Sequence, residues 1–112
     1  MKRYLLLILP LLALSAPAAA DPAQLYQQHC AGCHGANRLG AMGPALLPDN
    51  LSRLRQPEAV KVIQEGRAAT QMPAFGTTLK GEEIRQLAQW IYTPVTPAPA
   101  WTEADIRASR IV

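Results

Sequence analysis

Cys30-Ala31-Gly32-Cys33-His34 constrains this chain more than any other segment. C-x-x-C-H is the spacing of a c-type haem attachment site. Two thiols three positions apart, at the end of a helical turn, can each form a thioether with one vinyl group of a haem. The histidine that follows then falls under the iron as its proximal ligand. The expectation is one haem c, attached through Cys30 and Cys33 with His34 on the iron, and one-electron chemistry. Other uses of the pair fit less well. A thioredoxin-type switch wants a βαβ context, and no strand pattern is present. A zinc site wants a second pair, and the 112 residues hold only two cysteines. A disulfide across so short a separation is strained.

Residues 1–20 read as a secretory signal peptide. Met1-Lys2-Arg3 is a short basic start, Tyr4 to Leu14 is apolar apart from Pro10, and Ala18-Ala19-Ala20 makes an A-x-A cleavage pattern before Asp21. The apolar stretch is too short for a membrane anchor, since a spanning helix needs about twenty residues. Export to the periplasm suits the cysteines, because covalent haem is attached to exported chains. Without Lys2 and Arg3, nine basic residues face eight acidic ones, so the pI near 9.2 overstates the basicity of the working protein. No basic run implies nucleic acid, and no amphipathic anchor implies a membrane surface after signal cleavage.

The mature chain reads as an all-α domain, residues 21–93, followed by a spacer and tail, residues 94–112. A domain this small buries a modest core, and a covalent haem supplies the staple it needs. Asp21 caps a first helix with Pro22 at its first position. Gly35 to Asn50 reads as loop. Pro57 opens a second helix, carrying Val60, Val62 and Ile63, and Gly66 stops it. Ala68 to Thr78 is loop and contains Met72-Pro73. A third helix covers about Gly81 to Tyr92. Its Ile84, Leu87, Ala88 and Ile91 fall at i, i+3, i+4, i+7, and Pro94 ends it. Residues 93–100 form a proline-rich, semi-rigid spacer. Beyond it, Thr102-x-x-Asp105 fits a capping box for a turn or two of helix.

His34 leaves one face of the iron open. Met72 is the expected second ligand. A thioether favours ferrous iron and raises the potential, which suits an electron carrier. Met72 lies 38 residues after His34 with a whole helix between, so the chain can wrap to the opposite face. Met42 lies only eight residues after His34 and reads as core filler. His29, directly before Cys30, reads as a partly exposed helix residue.

Taken together, Tyr26, Cys30-Ala-Gly-Cys-His34-Gly35, Gly43-Pro44, Met72-Pro73-Ala-Phe75-Gly76 and Leu87-x-x-Trp90-Ile91 resemble the class I cytochrome c family over residues 22–92. The resemblance implies three main helices wrapped around one haem. It implies crossing of the first and last helices through Leu25, Tyr26, Leu87, Trp90 and Ile91. By position it assigns Pro44 the carbonyl that accepts from the proximal His Nδ1. Lys80-Gly81 departs from the family's usual Ser or Thr followed by an acidic residue, so a weak cap and a loose helix start are expected. The tail resembles the NirC or cytochrome c55x type of denitrifying bacteria. It also resembles the junction to the haem d1 propeller in cytochrome cd1 nitrite reductase.

That resemblance implies a periplasmic electron carrier, not an enzyme, whose redox partners are cytochrome cd1 nitrite reductase or the proteins that mature haem d1. The chain is expected to be a monomer by default, with a tail-mediated dimer as the alternative. Lys61, Arg67, Lys80 and Arg38 are candidates for the rim of a docking face, against plain solvated surface. A second reading makes the tail the working element, with Trp101, Ile106, Ile111 and Val112 as anchors for a haem d1 assembly partner. The same residues could fold back over their own domain or exchange between chains. A third reading, a ligand-binding enzyme or sensor, needs an open sixth site, and the sequence places no distal His or Arg to support one.

Overall fold

The computed structural model describes residues 20–110. Nearly all of the expected signal peptide, and the anchors Ile111 and Val112, lie outside the described residues. Five helices occur in the order α1 (Pro22–His29), α2 (Ala31–His34), α3 (Gln56–Glu65), α4 (Gly81–Trp90) and α5 (Glu103–Ala108), and the described residues contain no strand. No helix among them is long and apolar enough to cross a membrane.

Local chemistry accounts for the boundaries. The Asp21 Oδ1 accepts the Ala23 N–H at 3.2 Å, and Pro22 begins α1. Cys30 interrupts the helix with its backbone at φ −118°, so Cys33 and His34 sit on the separate turn α2. Gly35 ends that turn at φ +84°, where a Cβ would meet the Gly40 carbonyl at 2.9 Å. Helix α3 begins at Gln56, one residue before Pro57, because the Arg55 N–H is held by the Glu58 Oε2 at 3.0 Å. Lys80 offers α4 no accepting side chain, as expected. The start is not loose, however: Glu83 reaches back and accepts the Lys80 N–H at 2.8 Å.

All four residues of the α4 stripe are buried, and the core joins them to Leu25, Tyr26, Ala59 and Ile63. Helix α4 packs on both α1 and α3. Tyr26 has no exposed surface. Its ring lies 5.1 Å from that of Trp90, tilted by 48°, and its hydroxyl donates to the Gly35 carbonyl at 2.6 Å. Tyr92 donates to the Leu54 carbonyl and so ties the end of α4 to the loop before α3.

Helix α4 ends at Trp90, two residues before the expected end at Tyr92. Pro94 has no N–H to give the Trp90 carbonyl, which instead accepts from the Thr93 N–H at 3.0 Å and the Thr93 hydroxyl at 2.6 Å. Arg38 adds to these. Its guanidinium donates to the carbonyls of Trp90 (3.1 Å), Ile91 (2.9 Å) and Thr93 (2.8 Å) and lies 4.5 Å over the Trp90 ring. Arg38 is only 4% exposed, so it is neither docking rim nor solvated surface. A cation at these carbonyls also complements the negative end of the helix.

Helix α5 forms where the capping box predicts it. The Asp105 N–H donates to Thr102 Oγ1 at 3.2 Å, and Thr102 N–H donates to Asp105 Oδ2 at 2.9 Å. Residues 96–110 are all exposed, including Trp101 (65%) and Ile106 (51%), so the described tail does not fold back over the body.

Burial pushes the Tyr26 phenol up to about 12, with Cys30 adding to the rise and Arg38 opposing it. The raised value makes a stability contribution that is fully present below pH 10. That contribution fades as pH rises toward 12. Tyr26→Phe is expected to lower stability by about 1–2 kcal/mol at pH 7, because the Gly35 carbonyl loses its partner. In guanidinium unfolding repeated up to pH 12, the variant should also lack this component of the alkaline loss. Deleting residues 97–112 should leave the unfolding free energy within about 0.5 kcal/mol of the intact chain, since the described part of that segment, residues 97–110, is exposed throughout.

Candidate haem site

One cavity of about 720 Å³ opens between α2, α3 and the two long loops. This is within the range of roughly 300–1,000 Å³ typical of cofactor sites. Cys30, Cys33, His34, Pro44 and Met72 all line it, and aliphatic side chains such as Leu46, Val62 and Ile63 make up much of the remaining wall. No acidic residue is among the described residues that line it.

His34 is held from behind. Its Nδ1 lies 2.8 Å from the Pro44 carbonyl oxygen. A carbonyl can only accept, so the proton is on Nδ1 and the lone pair is on Nε2. That is the tautomer a proximal metal ligand needs. The loop from Gly35 to Leu46 keeps Pro44 in place. Gly40 N–H donates to the His34 carbonyl at 2.8 Å, Gly43 N–H to the Cys33 carbonyl at 2.7 Å, and Leu46 N–H to the Arg38 carbonyl at 2.9 Å. Gly43 has no room for a side chain. A Cβ there would lie 2.9 Å from His34 Cε1 and 3.0 Å from Nδ1.

Met72 arrives from the loop after α3. Gly66 turns the chain at φ +73°, and a Cβ there would meet the Met72 carbonyl oxygen at 2.8 Å. Arg67 N–H donates to that same carbonyl at 3.2 Å, Met72 N–H to Thr70 Oγ1 at 3.2 Å, and Phe75 N–H to the Ile63 carbonyl at 3.0 Å. Met72 is thus fastened on both sides to the end of α3, with its side chain half-buried on the cavity wall.

Cys30 and Cys33 are free of each other and half-buried. Burial pushes the Cys30 thiol up to about 11, with Cys33 adding to the rise. A redox-switch cysteine has the opposite perturbation, a thiol brought down toward neutrality. Two thiols, an imidazole with its Nε2 free and a large apolar cavity together fit a covalently attached haem. When bound, that group supplies a reversible one-electron iron centre. The residues of this chain supply the attachment points, the ligand orientation and a dry wall.

Met42 lies on the wall of the same cavity, with its side chain largely exposed. Its neighbours are held by backbone bonds, Ala41 N–H to the Gly43 carbonyl at 3.0 Å and Gly43 N–H to the Cys33 carbonyl at 2.7 Å. His29 is half-buried, sets its ring edge-on 6.1 Å from Phe75, and joins the same wall. The steric role of Gly43 has no signal in the residue pattern, because it depends on where the imidazole lies in three dimensions.

The helices and this site define a class I c-type cytochrome. Residues 17–91 match the family model described as "Cytochrome C oxidase, cbb3-type, subunit III". The chain is 33% identical over 84 residues to cytochrome c55X of Stutzerimonas stutzeri, covering 72% of this chain and 74% of that one. The solved structure of the c-type cytochrome NirC superposes with a TM-score of 0.60 at 30% identity, covering 63% of this chain and 84% of that one. Dihydro-heme d1 dehydrogenase of Pseudomonas aeruginosa is 45% identical over 99 residues. That match takes in 88% of this chain but spans about a fifth of the dehydrogenase, 20% of its length. The chain belongs to this cytochrome c family, and it carries one haem c through Cys30 and Cys33.

Gly43→Ala is expected to push the His34 ring away from Pro44 and to cost about 1–3 kcal/mol in guanidinium unfolding, since both neighbours are rigid. An unchanged midpoint would mean that the loop yields at no cost.

Proposed function

We propose that this chain is a periplasmic one-electron carrier of the haem d1 branch of denitrification. In this reading its iron is held by His34 and Met72. The protein donates either to cytochrome cd1 nitrite reductase or to a haem d1 maturation step. The observation that carries the reading is the pairing of the His34–Pro44 bond with a Met72 fastened at the same cavity. With His34 and Met72 both holding the iron, no site on it would be left for a substrate, and the same two ligands would serve both redox states. Electrons then leave at a small, transient interface. The likenesses to cytochrome c55X, NirC and dihydro-heme d1 dehydrogenase support this choice of pathway. Within the chain, residues 1–20 act as the export signal, residues 21–93 carry the haem, and residues 94–112 extend from it.

A second reading, docking of a haem d1 assembly partner through the tail, draws on a separate observation. A match of 99 residues cannot fit before Pro94, so the likeness to the dehydrogenase continues into the spacer. The exposed Trp101 and Ile106 offer such a partner an apolar grip.

The test is stopped-flow oxidation of the reduced cytochrome by cytochrome cd1 nitrite reductase with nitrite, spectra being recorded throughout. Fast oxidation with a low-spin His/Met spectrum supports donation to that enzyme. The same spectrum without oxidation moves the acceptor to haem d1 maturation. Oxidation by nitrite alone overturns the carrier reading. Met72→Ala should convert the spectrum to high-spin and lower the midpoint potential; an unchanged low-spin spectrum would remove Met72 from the iron.

A further inference from the structure

Arg38 is the one buried charged side chain among the described residues, and its hydrogen bonds all go to backbone carbonyls. Nothing in the electron-carrier reading uses it. Its placement nevertheless joins two parts of the molecule that are far apart in sequence. The guanidinium holds the end of α4 at Trp90, Ile91 and Thr93. The backbone of the same residue holds the proximal loop: Arg38 N–H donates to the Gly35 carbonyl at 3.1 Å, and the Arg38 carbonyl accepts from Leu46 N–H at 2.9 Å. Leu46 stands two residues beyond Pro44, whose carbonyl fixes His34. The Arg38 backbone lies at φ +63°, a conformation a non-glycine residue holds only when its surroundings enforce it.

We propose that Arg38 is a positioning residue for His34. Its side chain anchors the loop to the rigid end of α4. Its backbone then sets the span from Gly35 to Leu46 that carries Pro44 onto Nδ1. Three carbonyls in a fixed array match the planar fork of a guanidinium, and the Trp90 ring beneath it takes the face of the same plane. A lysine offers a point charge with no such fork. The strength of the Nδ1–H···O=C bond governs how basic the imidazole is toward a metal, so Arg38 acts on the iron without touching it. The inference rests on His34 being the iron ligand.

The experiment compares holoprotein of the parent, Arg38→Lys and Arg38→Met. Three quantities are read: the unfolding midpoint, the midpoint potential, and the exchange rate of the His34 Nδ1 proton by NMR. Arg38→Lys keeps the charge and loses the fork. It is expected to speed exchange of that proton at least tenfold and to raise the potential, because a weaker hydrogen bond leaves a less basic ligand. Arg38→Met should speed exchange equally. Its potential is the less direct readout, because losing a buried cation acts in the opposite direction. A lowered unfolding midpoint with exchange and potential both unchanged would overturn the proposal, leaving Arg38 a fastener of α4 alone. Should neither variant fold, Trp90→Phe keeps the fork and trims the surface beneath it. A smaller acceleration of the same exchange is then expected, and its absence counts against the proposal. If His34 is not on the iron, the parent protein itself shows no hyperfine-shifted Nδ1 proton, so that failure is told apart from failure of the positioning role.

Discussion

The stack of Tyr26, Trp90 and Arg38 is the contact on which the rest of the molecule depends. Tyr26 brings α1 against α4, and its hydroxyl reaches past the attachment motif to Gly35. Arg38 covers the other partner of that pair and closes the end of α4. Three segments remote in sequence thus meet around one indole. A small domain with a large cavity has little apolar interior to spend on holding its helices together. The aromatic pair and the buried guanidinium concentrate that cohesion on the side where the proximal ligand is set.

The loops follow a different principle. Gly35–Leu46 and Gly66–Gly76 contain no regular ladder, yet their N–H and carbonyl groups are paired with the ends of α2 and α3. Each is a lining whose shape is borrowed from the helix it abuts. This division, in which helices supply rigidity and loops supply the groups facing the cavity, is why the two candidate iron ligands can lie 38 residues apart and still line one cavity.

Much of this was legible in the residues. The attachment motif was readable because covalent chemistry demands a fixed spacing, and α4 because a 3.6-residue stripe survives any change of neighbour. The α3 start and the α4 end were misplaced by one and two residues, since Glu58 and Arg38 decide them through side-chain bonds that a periodicity does not contain. Arg38 itself read as surface. A lone arginine in a glycine-containing loop carries no mark of burial, and only the carbonyls of Trp90, Ile91 and Thr93 at the end of α4 give it a reason to be inside. Gly43 stood in the family pattern, but its purpose appears only once the imidazole is beside it.

The spacer from Pro94 to Ala100 has a kinetic meaning. Its seven residues can span at most about 25 Å, and it starts at the residue after Thr93, which Arg38 grips. Helix α5 hangs from that point already capped at Thr102, so little ordering remains to be done when something binds it. A molecule gripping Trp101 and Ile106 would be confined to a small volume around the domain, at an effective concentration that short linkers bring to the millimolar range. Each electron transfer would then begin as a search within that volume, insensitive to how dilute the two proteins are outside it.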